Sequence, residues 1–174
     1  MIDAQSKRIC GIHLEEDGTL AAVWLAHNKL DDSVHLYDAC SFAREVNVVI
    51  AEGLNARGRW IPIAWHKSAK DYTENLLERG CKMLYDGSDD TDALAEVISR
   101  DIWERMRTHR FKVDKRLAIW WDEFESFDKK EGKIPVGNFP LMAATRHAMS
   151  QLKMAKRQIN QRKIKKNYPR MAIV

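Results

Sequence analysis

The sequence predicts an α/β protein: a mixed sheet of three antiparallel and two parallel strands, flanked by helices. Three observations predict it. The first forty residues hold three apolar runs punctuated by turn residues. The remainder alternates short apolar runs with segments of helical period. The 174 residues, 45% hydrophobic and 31% charged, have the composition of an ordinary globular domain and are enough to bury a core without disulfides or metal staples. Six Trp, five Phe and four Tyr exclude a chain disordered throughout. No apolar run reaches the roughly 18 residues of a membrane span, and the opening MIDAQSKRIC lacks the apolar region of a secretory signal. A cytoplasmic protein with no membrane partner is expected. Cys10, Cys40 and Cys81 are scattered, with no CxxC pair, and read as structural thiols rather than a disulfide or zinc framework.

The elements follow in order. Residues 8–15 and 19–27 are apolar runs separated by Glu16-Asp17-Gly18, and Asp-Gly is a hairpin signal. After a turn at 28–32, residues 33–39 alternate and complete a three-stranded antiparallel meander. Residues 44–56 repeat Val46, Val49, Ile50 and Leu54 at helical spacing and close at Gly58. A short strand is expected at 60–65, a helix at 69–79 stopped by Gly80, and another short strand at 81–85. Asp89-Asp90-Thr91-Asp92 supplies caps for a long helix to about residue 108, with Leu94, Val97, Ile98, Ile102 and Met106 on one face. A helix over 115–127, a connector at 131–138 and a last helix from Pro140 past Lys156 complete the chain. Trp24, Trp65 and Trp103 read as core side chains, and one of Trp120 and Trp121 as partly exposed. This is the strand and helix order of an RNase H-like fold.

At this point the residues resemble a known family. Gly11-Ile12-His13 through Ala21-Ala22-Val23-Trp24-Leu25-Ala26, Ile61-Pro62-Ile63-Ala64-Trp65, Leu76-Leu77-Glu78-Arg79-Gly80, Glu123-Phe124-Glu125-Ser126-Phe127 and Gly137-Asn138 through Arg146-His147-Ala148 stand in the order of corresponding segments in terminase large subunits. The likeness is to the C-terminal RNase H-like nuclease domain of these phage DNA-packaging motors and spans roughly residues 8–149. It implies a nuclease domain over 1–152, followed by a basic tail at 153–174. It also implies two-metal cleavage of phosphodiesters by hard ions, Mg²⁺ or Mn²⁺, on carboxylate oxygens. Those acids come from the first strand, the fourth strand and the final helix.

This sequence departs from the pattern at each place. His13 stands where the first strand presents Asp, the second acid falls in His66-Lys67-Ser68, and the helix acids fall on Phe139 and Ala143. The expectation is a nuclease fold without its two-metal centre, and no cofactor. Glu15 and Glu123 are the candidate residual acids. Asp122 and Glu123 otherwise read as a solvated helix face, and Glu16 and Asp17 as turn residues. His13, His66 and His147 lie near the three places; the alternatives are hydrogen-bonded side chains or ligands of a borderline ion such as Zn²⁺. No Gly-x-x-x-x-Gly-Lys-Ser/Thr segment is present, so the ATPase half of such a motor is missing from this sequence.

Charge is distributed unevenly. From residue 132 onward there is no Asp or Glu and there are ten bases. The first 131 residues hold nineteen of the 29 bases and all 25 acids, a net of minus six. Lys153, Lys156, Arg157, Arg162, Lys163, Lys165, Lys166 and Arg170 are the candidate contacts to double-stranded DNA, or to a phage portal or other packaging protein. The function read from the sequence is a degenerate nuclease-fold domain acting by contact in phage DNA packaging, encoded by a phage or prophage. Two rivals stand beside it: an active metal-dependent endonuclease with displaced His and Glu ligands, and an interaction module with no DNA role.

Overall fold

The computed structural model describes residues 5–89, 91–127 and 139–158. The meander forms as expected: β1 (Lys7–Leu14), β2 (Leu20–Asn28) and β3 (Ser33–Phe42) pair antiparallel. The first hairpin closes through Gly18 N–H to Glu15 O at 3.0 Å and Glu15 N–H to Thr19 O at 2.8 Å. Gly18 has φ of 85°, the left-handed position that ends a three-residue loop of this kind. Asp17 Oδ1 accepts from Thr19 N–H, which gives this acid the turn role expected of it.

Next come α1 (Asn47–Ala56), β4 (Ile63–Ala64), α2 (Lys70–Glu78), α3 (Asp92–Arg107), β5 (Phe111–Val113), α4 (Ala118–Ser126) and α5 (Pro140–Ser150). The sheet order is β4-β1-β2-β3-β5, with β4 parallel to β1 and β5 parallel to β3. The mixed sheet of three antiparallel and two parallel strands is therefore present, but its fifth strand is not residues 81–85. Met83 makes one bridge to Ile63. Lys82 O and Leu84 N–H bond to Ile63 on either side of it, but its own N–H turns back to Cys81 O and the Leu84 carbonyl accepts from the Trp65 indole, so the pairing stops at that single bridge. The strand is instead Phe111–Val113 on the opposite edge, fixed by Val34 N–H to Arg110 O at 2.7 Å and Asp114 N–H to Leu36 O at 2.9 Å.

Both faces of the sheet are covered, so the strands read as continuous apolar runs. Ile9, Val23, Leu25, Val34 and Leu36 face a core closed by Trp120, Leu141, Ala144 and Ala148. Cys10, Ile12, Ala22 and Trp24 face the other, with Ile50, Leu54 and Leu76. Cys10 and Cys81 are buried free thiols. Three packing expectations change. Trp103 is 53% exposed, and Val46, Val49 and Val97 are exposed while Ile50, Leu54 and Ile102 do the burying. The last helix stops at Ser150, so Lys153, Lys156 and Arg157 do not continue it: Lys153 lies in a 3-10 turn and Lys156 pairs its backbone with Arg8. No helix among the described residues is long and apolar enough to cross a membrane.

Candidate functional site

Parallel pairing of β4 with β1 brings the C-terminal ends of both strands to one end of the sheet. Helix α5 lies directly on β1 there. An added Cβ at Gly11 would sit 2.1 Å from Ala144 O, so only glycine permits this approach. Gly11, His13 and Glu15 alternate onto the face that α5 covers, and His147 projects from α5 toward them.

The result is a histidine cluster. His13 Nδ1 and His147 Nε2 are 3.2 Å apart, with the rings near parallel. The His66 ring stacks on His147 at 5.4 Å between centroids. Glu15 Oε1 lies 3.3 Å from His13 Nε2, as the regular pleat predicts, and Ser88 Oγ lies 2.8 Å from His147 Nδ1. Ser88 is held in turn: its hydroxyl donates to Trp65 O at 3.1 Å and its N–H donates to the same carbonyl at 2.7 Å. No sequence signal marks Ser88; the parallel bridge between His66 and Ser88 places it here.

The electrostatics follow from burial. His147 is 2% exposed, and burial holds it well below the ordinary imidazole range, with His13, His66 and Arg146 adding repulsion to its charged form. Partial burial raises Glu15 above the usual carboxylate range, reinforced by Asp17 and Glu16. His66 begins the 3-10 turn at Lys67–Ala69, with its Nδ1 bonded to the Ser68 hydroxyl.

The remaining expected positions divide. Lys67 does not reach into the cluster; it pairs with Asp89 at 2.7 Å on the surface. Ala143 is buried, and Phe139 packs edge-on against Phe127. Asp122 is exposed, but Glu123 is no solvated acid: its two carboxylate oxygens accept from Leu141 N–H at 3.1 Å and Met142 N–H at 2.7 Å, capping α5. Of the basic candidates, Lys153, Lys156 and Arg157 are exposed, and Arg157 donates to Gln5 Oε1 at 2.8 Å. Arg162, Lys163, Lys165, Lys166 and Arg170 lie outside the described residues.

The hard ions that the family resemblance implies do not fit this end of the sheet. They take carboxylate oxygens, and the three places offer imidazoles, a lysine engaged elsewhere and a methyl group. Among the described residues no group of three or more His, Cys, Asp or Glu side chains is arranged to hold a metal.

No protein-family profile and no curated protein sequence matches this chain. Solved structures do. The nuclease domain of the P22 large terminase superposes with a TM-score of 0.81 at 19% identity, covering 90% of this chain and 87% of that one. The large-terminase nuclease domain of bacteriophage SPP1, solved with bound Mn, gives 0.67 at 15% identity, covering 83% and 86%. That of the thermophilic phage G20c, solved with bound zinc, gives 0.60 at 13%, covering 86% and 84%. At such identities the likeness establishes the architecture: the chain has the RNase H-like fold of terminase large-subunit nuclease domains, with three imidazoles gathered at one end of its sheet.

Proposed function

We propose that this chain is a terminase-type nuclease-fold domain that serves phage DNA packaging by contact with DNA or with a packaging protein, not by two-metal hydrolysis. The observation that carries the reading is the side-chain set where β1, β4 and α5 meet. His13, His66 and His147 pack on one another, Ala143 is buried, and Lys67 turns away to Asp89. Imidazoles and a methyl group cannot clamp two hard ions about 4 Å apart. Beside the cluster, Lys67, Lys70, Glu74, Tyr85 and Asp86 line an open groove of ≈570 Å³. Tyr85 is 97% exposed there. An exposed ring of this kind suits stacking on a base.

The rival with a specific observation behind it is a metal-dependent endonuclease using displaced ligands, favoured by the convergence of the three histidines with Glu15. Supercoiled plasmid incubated with the full-length protein in Mg²⁺ or Mn²⁺ is expected to remain supercoiled, as in a mock preparation. Cleavage that disappears in His13→Ala or Glu15→Ala overturns the contact reading and selects the rival.

A further inference from the structure

The hydrogen-bonding phase of the sheet runs from β4 across to β3. Cys10 N–H donates to Pro62 O, and Arg8 exchanges both backbone bonds with Lys156. Even-numbered residues of β1 therefore point away from β2, and Ile9, Gly11 and His13 point toward it. Across the register, Ala21 and Val23 meet β1, so Ala22 and Trp24 turn to β3 and meet Cys40 and Asp38. Ala39 and Ser41 are left pointing outward. The register shift beside Trp24 and Leu25 exchanges the phase, so Val34 and Leu36 also point outward, where they bond to Arg110 and Asp114 at the two ends of β5. The β5 ladder stops at Leu36. Among the described residues nothing bonds to the N–H and C=O groups of Ala39 and Ser41 on that side. No residue of 37–42 is buried, whereas the adjoining strand is buried from Leu20 to His27. The stretch carries neither Lys nor Pro, the usual guards of an open edge.

We propose that this open edge of β3 pairs antiparallel with the same edge of a second copy of the chain, about a two-fold axis at Cys40. That register sets Ala39 of each copy opposite Ser41 of the other. Each such pair exchanges two backbone bonds, so the two pairs satisfy every outward group of both residues in both copies. An axis at Ala39 or at Ser41 instead sets one outward residue against Tyr37 in the register shift or against Ala43 beyond the strand. A second copy is the partner that matches this edge in length as well as in phase. The open stretch is closed at one end by Asp114 N–H on Leu36 O and at the other by Arg44, whose φ of 55° turns the chain out of the strand. Opposed residues carry no like charges: Asp38, held by Arg57 at 2.9 Å, meets Phe42, and Cys40 meets Cys40. So short a contact buries less than the roughly 1,200 Å² of stable complexes, and a reversible dimer populated near about 100 µM protein is the expected form. The inference goes beyond the contact role and stands without it, because the pairing requires no DNA.

The test uses full-length protein freed of nucleic acid. Sedimentation velocity from about 5 to about 500 µM is expected to show a monomer–dimer equilibrium. Cys40 reports the register. As the central, non-hydrogen-bonded pair, the two Cys40 Cα atoms stand about 4.5 Å apart, within reach of a disulfide, while Cys10 and Cys81 are buried. Mild oxidation with copper–phenanthroline at the upper concentration should link two copies, seen on a non-reducing denaturing gel and absent in Cys40→Ser. Ser41→Pro removes an outward N–H at an edge position where proline is tolerated. Ser41→Lys puts a charge on an exposed side chain of the edge. Each should weaken association about 10-fold or more and abolish the Cys40 link, with circular dichroism unchanged. Ser41→Lys alters no backbone group, so it carries the result even if the proline variant unfolds. A chain that stays monomeric at about 500 µM, that dimerises without the Cys40 link, or that associates and links equally well as folded Ser41→Lys overturns the proposal.

Discussion

Glu123 holds the first turn of α5 in place. Its position in the sequence suggested a residual acid or a solvated face, and the fold uses it to cap α5 through Leu141 and Met142. Glu123→Ala should lower stability by about 1–2 kcal/mol, the usual size of a lost cap, measured by urea unfolding. Its pH behaviour has a definite sign. Burial raises Glu123 above the usual carboxylate range, against the two backbone hydrogen bonds, with Glu15 adding to the rise and Arg146 opposing it. A raised folded value means that the folded state holds this proton where the unfolded chain has already lost it. Stability from this group therefore declines as pH rises through the window just above the ordinary carboxylate value. Glu123→Gln removes the titration, so the same urea series across that window should lose this component of the slope. The histidines were legible as residues near three separate places, but not as a cluster. Ser88, whose hydroxyl lies 2.8 Å from His147 Nδ1, was not legible at all, because a lone serine after an Asp-Gly bend carries no pattern.

At the scale of elements, the close contact of α5 with β1 positions the cluster, and it depends on the missing side chain of Gly11. Adding a methyl group meets Ala144 O at 2.1 Å and Ala148 Cβ at 2.8 Å. These are backbone and short side-chain atoms that cannot swing away. Gly11→Ala should destabilise by about 3 kcal/mol, the upper part of the range for overpacking. It should also separate His147 from His13, which the imidazole resonances in an NMR spectrum would report. Unchanged stability and unchanged resonances would show that α5 can ride outward freely. The meander was readable because Asp-Gly and alternation act within a few residues. Strand β5 was not: three residues are too few for a period, and their pairing with Val34, His35 and Leu36 is set by partners distant in sequence. Residues 81–85 erred in the other direction. They have strand composition, but they meet β4 at Ile63 alone, through Ile63 N–H to Lys82 O and Leu84 N–H to Ile63 O, while Met83 N–H turns back to Cys81 O and the Trp65 indole takes Leu84 O. Helix α5 ended early for a related reason: after Ser150 the chain turns so that Lys156 can exchange both backbone hydrogen bonds with Arg8.

Across the whole molecule the governing feature is charge. The acidic first 131 residues should repel phosphate, so the basic end is expected to supply most of any DNA affinity. Lys156 and Arg157 are tied to the folded body at Arg8 and Gln5, with Lys153 in the 3-10 turn before them, whereas Arg162, Lys163, Lys165, Lys166 and Arg170 follow the last described residue. A chain ending at Gln158 keeps every described element, including the Lys156–Arg8 pairing, and loses those five bases. Binding through them should be independent of sequence and should weaken with salt, because each neutralised phosphate releases condensed counterion. If about four of the five touch phosphates, the slope of log K against log salt should be roughly −3 to −4 for the full chain. The shortened chain should show a flatter slope and weaker binding at low salt. Fluorescence anisotropy with a labelled duplex across a salt series makes the comparison, and circular dichroism checks that both chains are equally folded. Equal affinities and equal slopes would exclude the basic end as a DNA contact. Docking on a packaging protein would then be the remaining form of the contact role, to which the apolar Met171-Ala172-Ile173-Val174 terminus is better suited than to phosphate.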